Sequence, residues 1–233
     1  MKFKVSKEVF NKLDDLCFGV VVAKGIDNTM SIEKIDILLE KNIERVEKYF
    51  ENKKVKESEE ILPYREAFKS LNINPNKFMS SIEAMTSRVA KNKKLPHINS
   101  IVDLGNAVSL KYLVPLGAHD IDDKVDDICV RFSKEGDEFI PFGSDEAEHV
   151  DDNEIIYAIG NSVKTRRWIW RQGEIGKITK DTRNIFIPID GFKTKNLDKV
   201  ISARDEIASL LKDIFDCEVE VGLVDKNNNE MEF

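Results

Sequence analysis

The sequence predicts an α+β fold, a single compact domain of mixed β-sheets flanked by helices. Two observations predict it. Helical periodicity is grouped in the first half of the chain and strand-like alternation follows Pro115, an order that argues against alternating α/β units. A length of 233 residues, 41% of them hydrophobic, is enough to bury a core without a disulfide or a structural metal. With 34% charged residues and only 6 Pro and 11 Gly, collagenous, mucin-like and largely disordered chains are excluded.

The elements follow in order. Lys2–Lys4 is expected as a short strand, and Lys7–Asp14 as a short helix capped by Ser6. Cys17–Ala23 is an apolar, β-branched run and reads as a buried strand. Ile32, Ile35, Leu38, Leu39, Ile43, Val46 and Phe50 recur at helical spacing and form one apolar face. The charged stretch Glu51–Glu60 reads as a solvated linker. Tyr64–Lys69 is helical, and Asn72–Asn76 closes it because Pro75 lacks a helical donor. Ser80-Ser81-Ile82-Glu83 has the form of a capping box for a helix reaching about Lys91. Asn99–Lys111 is the third helix of this block. Strands are expected at Ile128–Phe132, Glu138–Pro141, Ile155–Ile159, Thr165–Trp170 and Asn184–Ile189, with Asp190-Gly191 as a turn. Asn196 is placed to cap a last helix, and Cys217–Leu223 alternates as a last strand before a frayed end at Asn227–Asn229.

Net charge is −7, but its distribution is uneven. Between Asp120 and Glu154 acids dominate, opposed only by Lys124, Arg131 and Lys134; from Lys164 to Arg183 bases dominate. That pattern suggests a local cationic site on an anionic body, suited to one polyanion. No apolar run approaches the roughly 18 residues of a membrane span, and the alternating start lacks the apolar core of a signal peptide. Cys17, Cys129 and Cys217 are odd in number and widely spaced, which implies buried thiols in a reducing cytoplasm. Walker, Gly-x-Ser-x-Gly and Gly-x-Gly-x-x-Gly motifs are absent. His97, His119 and His149 have no metal-ligand partner three or four residues away, so neither a metal nor a cofactor is expected.

The segment Thr165–Glu174 is the most distinctive. Read as a strand, it sets Arg166, Trp168 and Trp170 on one face and Arg167, Ile169 and Arg171 on the other. Indoles among guanidinium groups can stack a base while holding phosphate. They can equally be core volume and ion pairs. Gly173 then permits a tight turn presenting Gln172 and Glu174.

Four stretches in order resemble the B3/4 domain of the phenylalanyl-tRNA synthetase β subunit, and in particular its free-standing single-domain relatives. They are Pro63–Phe68 with Asn74–Phe78, Leu95–Asn99 with Val102–Ser109, Pro115–Asp120, and Arg166–Glu174 leading into Thr179–Asn184. The likeness covers about Leu62–Gly191, with residues 1–61 and 192–233 expected as flanking helices and strands packed on it. It implies a B3/4-like fold and an editing function, the hydrolysis of amino acids wrongly esterified to tRNA. Glu174 after Gly173 matches the glutamate of the family pocket. The family's Pro-x-His-x-Phe-Asp pattern is altered here, with Gly117 at the histidine position and His119 at that of the phenylalanine. No adenylation machinery fits in this length.

The resemblance thus implies a trans-editing aminoacyl-tRNA deacylase. Glu174, Asn106 and His119 would be its catalytic pocket, and Arg166, Arg167, Trp168, Trp170, Arg171, Gln172 and Lys177 would meet the tRNA acceptor end. Two alternatives stand beside it: a tRNA- or RNA-binding module without turnover, and a protein that binds a free amino acid. No membrane partner is expected.

Overall fold

In the computed structural model, which describes residues 1–122 and 126–233, the first half holds β1 (Lys2–Val5), α1 (Lys7–Lys12), β2 (Leu16–Lys24), α2 (Glu33–Phe50), α3 (Leu62–Ser70), α4 (Ser81–Val89) and α5 (Ser100–Tyr112). The strands β3 (His119–Asp120), β4 (Ile128–Phe132), β5 (Glu138–Phe139), β6 (Glu148–His149), β7 (Ile155–Ile159), β8 (Ser162–Arg166), β9 (Arg171–Gln172) and β10 (Asn184–Phe192) follow. The chain ends with α6 (Leu197–Phe215), β11 (Glu218–Asp225) and β12 (Glu230–Glu232). Asp123 and Lys124 of the acidic stretch lie outside the described residues.

Among the described residues two sheets form. One has the order β12-β1-β4-β7-β8-β5-β6, with β9 added to β8; the other has the order β11-β2-β10-β3. Alternation along β2 and β10 sorts the core into two layers. Phe18, Val20, Val22, Phe186 and Phe192 face the larger sheet and pack with Phe3, Val130 and Tyr157. Val21, Ala23, Ile185, Ile187 and Ile189 face the other way and meet α5 and α6 through Leu104, Val108, Val200 and Ile207. The architecture is therefore sheet on sheet with helices over the outer face of the smaller sheet. No helix among the described residues is long and apolar enough to cross a membrane.

Caps form where the chain can supply them. Ser80 Oγ accepts from Glu83 N at 3.3 Å, and Asn99 Oδ1 accepts from Val102 N at 3.0 Å. The reciprocal half of the Ser80 box does not form, because Glu83 Oε1 is held by Arg65 Nη1. Neither Ser6 nor Asn196 caps its helix through its side chain. Asn196 Oδ1 accepts from Phe192 N at 2.8 Å instead, and its Nδ2 donates to the Tyr64 hydroxyl at 2.8 Å.

Three expectations are corrected. Glu51–Glu60 is no linker: Val55 within it is buried, in a 3₁₀ turn that leads to the buried Ile61. The carboxyl end is not frayed, because Asp225 Oδ1 accepts from Asn227 N and Asn228 N and turns the chain into β12, which pairs with β1. Asp190-Gly191 is not a turn but the continuation of β10, paired with Phe18 and Cys17 of β2. Gly191 is required there for space. A Cβ at that position would overlap Val200 Cγ2 and lie 2.8 Å from Asn196 Oδ1, so its absence lets α6 seat on the sheet.

Gly191→Ala is therefore expected to destabilise the chain by about 1–3 kcal/mol through overpacking, outweighing the roughly 0.4–1 kcal/mol gained from a stiffer unfolded chain. Urea denaturation reads this directly, and an unchanged midpoint would contradict the packing.

Candidate functional site

The strand expected over Thr165–Trp170 stops at Arg166. There the chain turns back, so that β8 and β9 form a hairpin with Thr165 opposite Gln172 and Arg166 opposite Arg171. Arg167 and Trp168 take left-handed backbone angles, with φ of 45° and 61°. Such conformations cost about 1–2 kcal/mol per residue. What holds them is tertiary: Trp168 N donates to Ile155 O at 2.6 Å, and the indole is 0% exposed, among Tyr64, Phe68 and Phe192. The alternating two-faced strand is thus replaced by a tight turn, and Trp168 becomes core rather than a stacking surface.

The indole Nε1 donates to Asp190 Oδ1 at 2.7 Å, and the Tyr157 hydroxyl donates to the same oxygen at 2.6 Å. Asp190 is buried, facing the space between the sheets, while its backbone carbonyl accepts from the Tyr64 hydroxyl at 2.9 Å. Burial raises the carboxyl from its ordinary 3.8 to about 7, against the opposing effect of the Tyr157 and Trp168 hydrogen bonds. Beside it, His119 lies near-parallel to the Tyr157 ring, at 5.9 Å between centroids. Its Nδ1 is buried with no hydrogen-bond partner among the described residues. Burial, and secondarily the charge of Lys164, lowers its pKa to about 4, so the imidazole is neutral at physiological pH.

Asp190, His119, Tyr157 and Trp168 line a recess of about 80 Å³, joined at its mouth by Trp170, Arg171 and Gln172. Leu116, Gly117 and Gln172 also belong to the wall of an adjoining groove of about 610 Å³. Asn106 from α5, Phe142, Lys177 and Lys180 line that groove. The Asn106 amide has no hydrogen bond among the described residues. Gln172 Nε2 donates to Ala118 O at 2.8 Å, which fixes the amide at the shared wall.

The expected site residues therefore divide. His119, Trp168, Trp170, Arg171 and Gln172 come together at the recess, and Asn106 and Lys177 at the groove. Glu174 lines neither. Its Oε1 is held by Lys177 Nζ and its Oε2 accepts from Gly143 N at 3.0 Å, and these two donors hold the carboxyl below its usual range. Gly173 makes no left-handed turn; a Cβ there would lie 2.8 Å from Ile140 O, so the glycine serves close approach, and Gly176 at φ 81° does the turning.

The cationic patch is largely neutralised. Arg166 Nε and Nη2 make a bidentate pair with Glu154 at 3.0 and 2.8 Å, both side chains being 5% exposed or less. Arg167 is held by Asp151 and lies over the Phe78 ring at 3.9 Å. The acidic and basic stretches, separate in sequence, fold onto each other. Arg166 and Arg167 are thereby engaged within the chain, and losing one partner of the buried Arg166–Glu154 pair costs about 3–5 kcal/mol. Arg171 lines the recess, and Lys177 and Lys180 line the groove. The thiols offer no nucleophile, since burial raises Cys17 to about 12 and also raises the half-buried Cys129 and Cys217.

Asp190 and Tyr157 were missed from the sequence. The available signal was one carboxylate inside the apolar run Ile185–Phe192, a residue type almost never buried without a polar partner. A raised carboxyl pKa favours folding at low pH, and the stabilisation fades as pH rises from the unfolded value through about 7. The stability advantage of the native chain over Asp190→Asn is expected to shrink by roughly 2–3 kcal/mol between about pH 5 and pH 8. Denaturation curves at the two pH values measure it; a difference independent of pH would contradict the assignment.

The B3/4 domain family model matches residues 63–216, more than half of the chain and running through α6. No curated protein matches the chain. Among solved structures, an N-terminal fragment of the phenylalanyl-tRNA synthetase β-subunit from Pyrococcus horikoshii is similar at 12% identity and a TM-score of 0.48. That alignment covers 87% of this chain and 46% of the fragment, so the chain spans less than half of the fragment's length. By the family match, the chain belongs to the B3/4 domain family.

Proposed function

We propose that the recess and groove together bind the aminoacyl end of a tRNA and hydrolyse its ester. The observation that carries this reading is a buried carboxyl, Asp190, lining a small recess whose wall is shared with a ligand-sized groove. The recess, at about 80 Å³, is smaller than the roughly 150 Å³ that admits a benzene ring. It suits water and the reacting ester carbonyl rather than an aromatic side chain. The groove falls in the usual range for small-molecule sites, and Ile98, Val102, Leu116 and Ile178 give it apolar walls for an amino-acid side chain. Phe142, 52% exposed at its edge, offers a face to the terminal base. Lys177, Lys180 and Arg171 offer charge to phosphate.

In this reading Asp190, as carboxylate, takes a proton from a recess water as that water attacks the ester carbon. The carbon–oxygen ester bond then breaks, the ribose oxygen receives the proton, and the amino acid leaves as a free acid. A base with a pKa near the working pH is the most effective for this step. His119 is the neutral wall beside the carboxyl, Gln172 and Asn106 are amides placed to hold the ester and the amino group, and Glu174 fixes Lys177 at the mouth. Arg166, Arg167 and Trp168 act by holding the hairpin.

A second reading, binding of a free amino acid without RNA, is favoured by the pairing of Arg166 and Arg167, which leaves few cations for a polyanion. Release of amino acid from a panel of mischarged tRNAs separates the two. Hydrolysis predicts release from at least one member, falling about 100-fold in Asp190→Asn and much less in Glu174→Ala. No release from any member rejects hydrolysis. Salt-sensitive tRNA binding without release would then point to a binding module, and heat of binding with free amino acids alone to the second reading.

A further inference from the structure

A second polar cluster lies outside the recess and groove. Asp36 on the first turn of α2, His97 in the segment before α5 and Asp103 on the first turn of α5 converge, each offering one ligand atom within 4.8 Å of the others. We infer that they form a site for a divalent transition-metal ion of the zinc class.

The separations fit such an ion. His97 Nδ1 lies 3.1 Å from Asp103 Oδ2 and 3.6 Å from Asp36 Oδ1. Tetrahedral ligands at about 2.0–2.1 Å from a zinc ion are about 3.3–3.4 Å apart, between those two values. The outward oxygen of each carboxylate is already held. Asp103 Oδ1 accepts from Ile98 N at 3.1 Å, and Asp36 Oδ2 accepts from Ser31 Oγ at 3.4 Å, so the inward oxygens are left aimed at the imidazole. The Asp103 side chain is 4% exposed, which makes it a fixed ligand, while Asp36, at 39%, can close on an ion. One N–H can bridge the imidazole to only one carboxylate at a time; a dication bridges both and cancels their repulsion.

The donor set is one nitrogen and two carboxylates. It suits zinc and neighbouring first-row ions, and falls short of the six or more oxygens calcium takes. The three ligands line a groove of about 480 Å³ that also holds Glu40, one turn beyond Asp36. The fourth coordination position therefore opens to that groove, for Glu40, water or an anionic ligand. Ile98, Asn99 and Lys180 line both this groove and the larger one described above, so the ion would sit beside the candidate site and not in it.

Calorimetric titration of chelator-treated protein with zinc chloride tests the inference, with magnesium chloride as the comparison. The expected result is saturable uptake of one zinc ion per chain, little heat with magnesium, and affinity at least tenfold weaker in both His97→Ala and Asp36→Asn. Melting curves of both variants without metal should match the native chain, since His97 and Asp36 are exposed enough to change without unfolding it. Cobalt should give the intense visible absorption of a four-coordinate site in the native chain and lose it in His97→Ala. Absence of saturable zinc uptake, or uptake unchanged in both variants, would overturn the assignment.

Discussion

A carboxyl group is enclosed between two sheets, and much of the molecule is arranged around it. Asp190 sits near the end of β10, where strand alternation sends its side chain into the intersheet core. An isolated charge there would cost far more than any neighbouring contact returns. The chain answers with two donors to one oxygen, Tyr157 from the facing sheet and Trp168 from the hairpin turn. The Tyr64 hydroxyl donates to the Asp190 carbonyl, and Asn196 Oδ1 accepts from Phe192 N. The left-handed residues Arg167 and Trp168 are held in their positions because the indole they deliver is buried and bonded to that carboxyl.

The second organising feature is electrostatic. The acidic and basic stretches are complementary surfaces of the same unit: Glu148, Asp151 and Glu154 take up Arg166, Arg167 and Arg171. Asp120 and Asp122 likewise accept from Thr182, Arg183 and Asn184. Charge blocks that look like a polyanion site in one dimension become internal pairs in three. At the recess and groove stand Arg171, Lys177 and Lys180, the first two also paired with Glu148 and Glu174.

Helices were legible because their signal is local. The apolar repeat from Ile35 to Phe50, the Ser80 cap and the Pro75 stop all lie within a few residues of what they control. The buried strands β2, β4, β7 and β10 were legible from apolar density. Long-range effects were not. Nothing in Arg166–Trp170 signals a turn, because its left-handed backbone is held by Ile155 and Asp190, which lie far along the chain or on another strand. Asp190-Gly191 has turn composition but strand geometry, since the glycine answers to α6 and the aspartate to Tyr157. Of the candidate site, Asn106, His119 and Gln172 lie within the stretches that resemble the family and Lys177 in the basic stretch beside them, whereas Asp190 was not singled out, its place depending on where the strand points it.

The central claim is that Asp190 changes charge near neutrality at the floor of an accessible recess. Carbon-13 NMR of the aspartate carboxyl groups across a pH titration, with Asp190 assigned by the signal lost in Asp190→Asn, tests it most directly. The account predicts a midpoint near 7 for that signal. A midpoint in the ordinary aspartate range near 4 would contradict it.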